Sequence, residues 1–299
     1  MILRPILFVL VVFIATVSAV TLSQSGELIE LQPYKNRLFS YPGIIETRDG
    51  GAFVKVDYRE ARDIDRRDQV AERRVKNNYV SFKPRGQQRP LSLTSGAMQV
   101  EAMEVGRAAD ARFVVIFIHG RGGDKRLGIN DWTFGGNFNR LKNLAVRNGG
   151  VYYTPTIPSF DATGLEHLSV LVNHLSHVAP DAPVILACGS MGSLLCWAGG
   201  NDARIAPRLG GIVVLGGSAG GSYRSSKAYQ NRVPVLFAHG SNDTVYDWQD
   251  QHAFYRSIRN GSDGQYPIRF ILFNGGTHGT PIRMIDWRDT INWMLAIAS

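Results

Sequence analysis

Residues 183–198 read PVILACGSMGSLLCWA, and three kinds of sequence follow one another in this stretch. The run at 184–187 is continuously apolar, which is typical of a strand buried on both faces of a parallel sheet. Small residues then surround Ser190, and the apolar residues from Ser193 onward suit the first turns of a helix. Strand, crowded turn and helix in this order predict an α/β fold in which Ser190 lies at the turn.

The alternation of strand and helix continues along the chain from residue 112. Apolar runs that predict buried strands lie at 113–118, 151–154, 184–187, 211–215, 235–238 and 268–273. Segments that predict helices lie at 138–147, 165–178, 193–198, 247–258 and 282–298. Because continuous Val/Ile/Leu strands alternate with helices, we expect a mostly parallel central sheet with helices on both faces.

The segment before residue 112 reads mainly as short strands and turns. Residues 43–47 and 52–56 flank an Asp-Gly turn and predict a β-hairpin. Further strands are predicted at 78–83 and 98–105. We expect the hairpin to add antiparallel strands at the amino-terminal edge of the sheet.

The amino terminus contains the three parts of a secretory signal. Arg4 precedes an apolar run at 6–15, and small residues follow at 17–19. The same stretch is almost long enough to span a bilayer, so an uncleaved anchor is the alternative. Either reading places the body of the protein outside the cytoplasm, as a periplasmic or secreted protein or one anchored in the membrane.

The domain organisation predicted from these patterns is simple, with no internal repeat and no low-complexity linker. It consists of a signal peptide or membrane anchor at 1–19, a linker at 20–40 and one α/β domain at 41–299, in which 41–110 holds the amino-terminal strands and a basic segment and 111–299 the catalytic core.

Composition excludes several classes of protein. The 299 residues are 44% hydrophobic and 19% charged, which fits a folded globular chain and not a disordered or collagen-like one. The two cysteines, Cys188 and Cys196, are too few for a disulfide framework, so we interpret both as core residues. Their spacing is not C-x-x-C, so neither zinc nor redox chemistry is indicated.

Positive charge is concentrated in one segment of the chain. The formal net charge is +8, and residues 55–89 contain eleven Lys or Arg against six Asp or Glu. One interpretation is a solvated helix with interleaved ion pairs, and the other is a patch that binds an anionic membrane surface. No nucleic-acid partner is expected, because no binding motif accompanies the charge and aromatic residues are sparse there.

Two serines compete for the role of a nucleophile. Residues 216–220 read GGSAG, a full G-x-S-x-G pattern around Ser218, whereas 188–192 read CGSMG and lack the first glycine. Ser218 is followed by a polar loop, so no helix amino terminus is available to stabilise an oxyanion there. Ser190 has the strand, the turn and the helix, so we predict that Ser190 is the nucleophile.

The two partners that a nucleophilic serine needs also follow predicted strands. Asp243 comes just after the strand at 235–238, and His278 comes just after the strand at 268–273. Since the carboxyl ends of parallel strands meet at one edge of the sheet, these side chains and Ser190 are expected to lie together. A serine, a histidine base and an orienting acid are the parts of a hydrolytic triad.

These features together resemble the α/β-hydrolase superfamily over residues 113–299. The resemblance is carried by the CGSMG turn and by three further motifs in the expected order, FIHGRGG at 117–123, HGSND at 239–243 and GTHG at 276–279. In that family the serine follows the fifth strand, the acid the seventh and the histidine the eighth. Counting 113–118 as the third strand gives the same positions here.

The resemblance implies a catalytic triad of Ser190, Asp243 and His278. It also implies an oxyanion hole made by the backbone N–H groups of Met191 and Arg121. No cofactor is implied. Ser218 would follow the sixth strand, where the family has no nucleophile.

Other charged residues and histidines near the motifs are candidates for substrate binding, packing or metal binding. Arg121, Lys125 and Arg126 are candidates to bind a phosphate or carboxylate of the substrate, with solvated loop charges as the alternative. We expect a packing role for His119. No metal site is expected from the surface histidines His167, His174 and His177. The short segment at 216–233 predicts an open site, with the loop at 156–164 and the amino-terminal strands as its walls.

The function predicted from the sequence is that of an exported serine hydrolase that cleaves carboxylic esters. Its expected substrate is a small-molecule or lipid ester, with phospholipase or lysophospholipase activity as the narrower prediction. A peptidase or amidase of the same fold is one alternative, and a catalytically silent envelope-binding domain is another. The oligomeric state cannot be predicted from these patterns.

Overall fold

The computed structural model describes residues 29–298, so the predicted signal peptide or anchor at 1–19 lies outside the described residues. The strands of the described chain are β1 (Ile44–Arg48), β2 (Phe53–Val56), β3 (Asp68–Val70), β4 (Arg74–Val75), β5 (Gln88–Ser95), β6 (Met98–Val105), β7 (Val114–Ile118), β8 (Val151–Pro155), β9 (Val184–Gly189), β10 (Leu209–Leu215), β11 (Val235–Gly240) and β12 (Ile268–Phe273). The α-helices are α1 (Asn36–Phe39), α2 (Lys125–Ile129), α3 (Asn137–Arg147), α4 (Ala162–Val178), α5 (Ser193–Asn201), α6 (Lys227–Gln230), α7 (Trp248–Asn260), α8 (Thr280–Met284) and α9 (Trp287–Ala298). Within residues 29–298 no helix combines the length and the apolar character needed to cross a membrane.

Ten strands form one sheet in the order β1-β2-β12-β11-β10-β9-β7-β8-β6-β5. Strands β7 to β12 pair in parallel, and β2 also runs parallel to β12. Antiparallel pairs close both edges, β1 with β2 at one and β5 with β6 at the other. The mostly parallel sheet is therefore confirmed, and the amino-terminal strands lie at both edges of it.

The central strands are apolar throughout because helices cover both faces of the sheet. Alternate residues of β7 point to opposite sides, so that Val114 and Ile116 belong to one core while Val115 and Phe117 belong to the other. Helices α4, α5 and α7 contribute to the first core, and α3 and α9 contribute to the second. This is the two-sided packing predicted from the continuous Val/Ile/Leu runs.

The amino-terminal segment departs from several predictions. The strand predicted at 78–83 is wrong, because short 3₁₀ helices occupy Asn77–Tyr79 and Lys83–Gln87. The basic stretch is not a helix either: it contains β3, β4 and a buried arginine, Arg67, whose guanidinium lies 4.8 Å from the Phe39 ring and 4.7 Å from the Tyr79 ring. Tertiary stacking of this kind overrides the local charge pattern.

Part of the predicted linker at 20–40 belongs to the packed domain. Leu31 is fully buried, and its backbone N–H donates to Asn292 Oδ1 at 2.8 Å. The Arg288 guanidinium donates to the Leu31 carbonyl oxygen at 2.7 Å. The chain around Leu31 is therefore held against α9.

The two cysteines form a disulfide, so the expectation of unpaired core residues was wrong in this respect. Cys188 is the last residue but one of β9, Cys196 lies in α5, and both are fully buried. The strand-to-helix turn folds back on itself and brings the two Cα atoms to 6.3 Å, although eight positions separate them in the chain. A cysteine count does not reveal a contact that depends on this local geometry.

Candidate active site

Ser190 lies on a sharp turn between β9 and α5. Its φ of +51° is in the left-handed region, which costs free energy for a residue with a Cβ. The glycine after Met191 allows the turn to pack closely. A Cβ on Gly192 would come within 2.7 Å of the carbonyl oxygens of Ile118 and His119. The crowded turn expected from CGSMG is therefore present, and it holds Ser190 against the end of β7.

Ser190, His278 and Asp243 form one hydrogen-bonded chain. His278 Nε2 lies 2.9 Å from Ser190 Oγ, and His278 Nδ1 lies 2.8 Å from Asp243 Oδ2. Because the carboxylate only accepts, Nδ1 carries the proton and Nε2 is free to accept from the serine hydroxyl. The three residues predicted from separate strands are brought together in the geometry that a general base requires.

The side chain of Asp243 is fully buried and is held as a carboxylate. Burial alone raises its pKa, but hydrogen bonds from His239 and His278 and from the backbone N–H groups of Val245 and Tyr246 outweigh it. The net effect holds the pKa of Asp243 well below its usual range. The two backbone N–H groups lie 2.8 and 3.2 Å from Asp243 Oδ1. A stable negative charge therefore faces Nδ1 of His278.

The loop after β7 packs directly on the serine. A Cβ on Gly120 would lie 2.8 Å from Ser190 Cβ, so only glycine fits here without displacement. His119 fixes this loop, because its Nε2 accepts the Ile157 N–H at 3.0 Å while its Nδ1 lies 2.7 Å from the Gly120 carbonyl oxygen. His119 thus has a packing role. Arg121, the next residue in the chain, lines the same cavity as Ser190.

An apolar cavity opens beside Ser190. Its volume is about 490 Å³, and it is lined by Gly120, Arg121, Gly123, Leu127, Phe134, Gly189, Ser190, Met191, Leu215, Val245, Tyr246, His278, Gly279 and Ile282. Among the described residues, neither the loop at 156–164 nor the amino-terminal strands contribute to this lining, contrary to the expectation. Leu127 and Phe134 come instead from the segment between β7 and α3.

A second histidine, His239, contacts the acid from inside the protein. His239 Nε2 lies 3.1 Å from Asp243 Oδ2, and His239 Nδ1 lies 2.9 Å from Gln251 Oε1. The sequence places His239 at the end of β11, four residues before the acid, but the HGSND motif alone assigned it no role. A polar residue in an otherwise apolar strand end was the available signal.

The architecture of the chain is similar to that of several solved structures. The chain resembles the esterase Pf2001 of Pyrococcus furiosus with a TM-score of 0.51 and 13% identity, covering 72% of this chain and 95% of the esterase. It resembles a thermostable esterase with a TM-score of 0.54 and 14% identity, covering 70% of this chain and 62% of that one. A putative alpha/beta hydrolase from Agrobacterium tumefaciens, ATU1826, gives 0.50 and 13%, covering 70% and 94%.

The chain has the α/β-hydrolase fold. No protein-family profile matches the sequence, and no curated protein matches it. With β7 counted as the third strand of an α/β-hydrolase sheet, β9, β11 and β12 are the fifth, seventh and eighth. Ser190, Asp243 and His278 follow these three strands. The hairpin β1–β2 is an addition at the edge beside β12.

Ser218 follows β10, the sixth strand of the α/β-hydrolase sheet, and its contacts are structural. Its backbone N–H donates to Ser193 Oγ at 2.9 Å, and its carbonyl oxygen accepts from Trp197 Nε1 at 3.0 Å. Its hydroxyl lies 3.1 Å from Ser193 Oγ. The described residues place no histidine in hydrogen-bond contact with Ser218. These contacts of the GGSAG segment therefore hold the loop after β10 against α5.

Of the three cations predicted to bind substrate, only Arg121 lines the cavity. Lys125 forms an ion pair with Glu101, and Arg126 forms one with Asp124. The acidic partners neutralise both charges on the outside of the loop. The position of Lys125 and Arg126 in the sequence, close to the loop of the proposed oxyanion hole, did not reveal these partners.

The surface histidines of α4 do not converge on one point. His167 and His177 lie with Nδ1 at 2.9 and 2.8 Å from the carbonyl oxygens of Thr163 and Asn173 in their own helix. The described part of the chain contains no group of three or more His, Cys, Asp or Glu residues arranged to hold a metal ion.

Proposed function

We propose that this protein is a serine hydrolase that cleaves carboxylic esters through an acyl-enzyme. The observation that carries the proposal is the hydrogen-bonded chain from Ser190 through His278 to Asp243 at the wall of an apolar cavity. A nucleophile, its base and an orienting acid in this geometry are what acyl transfer requires.

The proposed reaction has two halves that use the same residues. Ser190 Oγ attacks the ester carbonyl carbon while His278 Nε2 takes the hydroxyl proton. The protonated imidazole then gives this proton to the leaving alcohol as the C–O bond breaks, which leaves the acyl group on Ser190. Water attacks the acyl-enzyme by the same route and releases the acid. Asp243 holds the imidazole in orientation and stabilises its charge in both halves.

The oxyanion of each tetrahedral intermediate is assigned to the backbone N–H groups of Met191 and Arg121. Both residues line the cavity with Ser190, and Met191 lies in the 3₁₀ turn Ser190–Gly192 that leads into α5. Loss of one such donor typically costs about 10²–10³ in turnover. The amino terminus of α5 adds a positive dipole on the same side.

The lining of the cavity supports an apolar acyl group. Leu127, Phe134 and Ile282 offer hydrocarbon surface, and the volume of about 490 Å³ suits an acyl chain. Arg121 is the one Lys or Arg residue of the described lining, and its charge supports a phosphate on the substrate. The narrower proposal is therefore a phospholipase or lysophospholipase.

The compartment proposed for this hydrolase is extracytoplasmic. The disulfide between Cys188 and Cys196 supports this, because disulfides persist mainly in oxidising environments. The segment at 1–19 is the proposed signal peptide or anchor. Arg66, Arg73 and Lys83 are exposed, and none of them makes an ion pair within the described residues. Their charges support contact with an anionic membrane surface.

A fluorophosphonate probe tests the assignment of the nucleophile. We expect the purified protein and the matched control Ser218→Ala to be labelled and Ser190→Ala not to be. Labelling that survives Ser190→Ala and disappears in Ser218→Ala would overturn the assignment. Absence of labelling in all three folded proteins would instead favour a catalytically silent domain.

A substrate panel tests the reaction class. We expect hydrolysis of p-nitrophenyl esters with medium or long acyl chains and of lysophospholipid micelles. Matched peptide amides should react far more slowly. An amide cleaved faster than its matched ester would show that the protein is a peptidase or amidase. If simple esters are cleaved but lysophospholipid is not, the phospholipase proposal is removed.

A further inference from the structure

His239 is fully buried at the end of β11, and both of its ring nitrogens make close polar contacts. Nδ1 lies 2.9 Å from Gln251 Oε1. Nε2 lies 3.0 Å from the carbonyl oxygen of Tyr246 and 3.1 Å from Asp243 Oδ2. All three neighbouring atoms are oxygens, and their hydrogen-bonding roles determine where the protons of the ring are.

The side-chain amide of Gln251 has one acceptable orientation. Its Nε2 donates to the Gly217 carbonyl oxygen, which can only accept. If the amide were flipped, Gln251 Oε1 would face the Gly217 carbonyl oxygen, and the NH₂ group would face the His239 ring. Gln251 Oε1 therefore faces His239 and accepts. The Tyr246 carbonyl and the Asp243 carboxylate are acceptors by nature, so both ring nitrogens face acceptors only.

We propose that His239 is a permanently protonated, buried imidazolium that balances the charge of Asp243 and acts through this carboxylate on His278. A neutral ring would leave one nitrogen lone pair against an oxygen in a site without solvent, which is costly. The same reasoning gives the opposite result at His119. There Nε2 accepts the Ile157 N–H, so one neutral tautomer satisfies the ring.

The electrostatic surroundings of His239 agree with this geometry. Burial lowers its pKa, but the hydrogen bonds to Asp243, Gln251 and the Tyr246 carbonyl raise it by more, so the net pKa is above the ordinary value. The contacts come from three elements. The loop after β11 supplies Asp243 and the Tyr246 carbonyl, α7 supplies the neutral Gln251, and the loop after β12 brings His278 to the same carboxylate oxygen.

A positive charge on His239 affects the protonation of His278, because both rings contact the same carboxylate oxygen of Asp243. Asp243 Oδ2 accepts from both imidazoles, so a charged His239 opposes a second positive charge on His278. The proposed imidazolium therefore disfavours the protonated form of His278, which cannot take the proton of Ser190. His239 is a positioning residue in this scheme. Its effect on the reaction rests on the proposed function, whereas its charge state does not.

Nuclear magnetic resonance of the full-length wild-type protein with ¹⁵N-labelled histidine tests the charge state. We expect two ring N–H protons on His239 and unchanged nitrogen shifts between about pH 5 and 8. The spectrum of His239→Gln identifies the signals. One protonated nitrogen at about pH 7 would overturn the proposal, whether or not the protein is a hydrolase.

The pH dependence of fluorophosphonate labelling tests the coupling. We expect His239→Gln to move the acidic limb of the labelling rate to higher pH by about 1 unit, because the cation that opposes protonation of His278 is gone. Gln251→Met keeps His239 but removes the acceptor at Nδ1, so it should move the limb in the same direction. His252→Gln, on the neighbouring helical position outside this network, should leave it unchanged.

The outcomes separate the two proposals. An unshifted acidic limb in a folded, labelled His239→Gln protein would overturn the coupling, while the proposed hydrolase would stand. Failure of every protein to label at any pH would remove the proposed function. The resonance measurement would still decide the charge of His239.

Discussion

Gly120 lies where the proposed nucleophile, Ser190, meets the loop of the proposed oxyanion hole. In Gly120→Ala the new Cβ would lie 2.8 Å from Ser190 Cβ, so one of the two must move. A displacement of about 1 Å at a reacting atom can cost roughly 100-fold in rate, and we expect a loss of that order in the rate of fluorophosphonate labelling. The matched control is Gly221→Ala, which meets nothing within 4 Å. Equal labelling rates in the two variants would contradict this account of the loop.

Phe134 determines how far the cavity extends in the proposed esterase. Its ring lines the cavity and packs edge-on against Phe138 at 5.7 Å. Phe134→Ala should raise kcat/KM for long acyl chains relative to short ones by about tenfold, because room for a methylene is worth about 1–3 kcal/mol. The measurement is a series of p-nitrophenyl esters, with the exposed Phe82→Ala as the control. An unchanged ratio would mean that acyl groups bind elsewhere.

At the scale of elements, the disulfide joins β9, the strand before Ser190, to α5, the helix after it. Replacement of both Cys188 and Cys196 by serine should lower the free energy of unfolding by about 2–4 kcal/mol, since the unfolded chain is no longer cross-linked. Urea unfolding measures this loss. A reductant should destabilise the wild-type protein and leave the double variant unchanged. Equal stabilities of the oxidised protein and the variant would contradict the prediction.

The elements that could be predicted from the sequence are those determined by their own residues. Strands β7 to β12 are continuous apolar runs, and the three residues of the proposed triad each follow one of them, so the strand pattern was enough to predict where these residues lie. The final helix was predicted unbroken over 282–298, but α8 ends at Met284 and α9 begins at Trp287. Asn137 Nδ2, from a distant helix, donates to the carbonyl oxygens of Ile282 and Ile285 and takes the place of helical partners.

Contacts between distant segments could not be predicted in the same way. Gln251 reaches His239 from the next helix, and Arg67 stacks on rings that lie outside its own segment. No local periodicity records such pairs, because either partner alone is compatible with an exposed position. The basic segment at 55–89 was therefore the least predictable part of the fold, while the edge of the sheet that carries Ser190 was the most predictable.

At the scale of the whole molecule, a buried ion pair joins the amino-terminal segment to the helix that follows His278. Arg283 Nη2 lies 2.6 Å from Asp68 Oδ1, and both side chains are 1% exposed. Arg283→Ala should lower the free energy of unfolding by about 3–5 kcal/mol, because it leaves a buried carboxylate unpaired. The double variant Asp68→Asn with Arg283→Met should lose less. Urea unfolding of both tests this, and a single variant no less stable than the double one would contradict it.

The position of the β1–β2 hairpin has a consequence for the order in which the chain can be completed. Phe53 in β2 pairs with Phe270 in β12, so about 200 residues separate the partners. During synthesis the first hairpin has no neighbour until the last strand has emerged, and pairings this distant form slowly. The sheet is therefore complete only after β12 has been translated. In a chain that crossed a membrane before that moment, β2 would not yet be paired with β12.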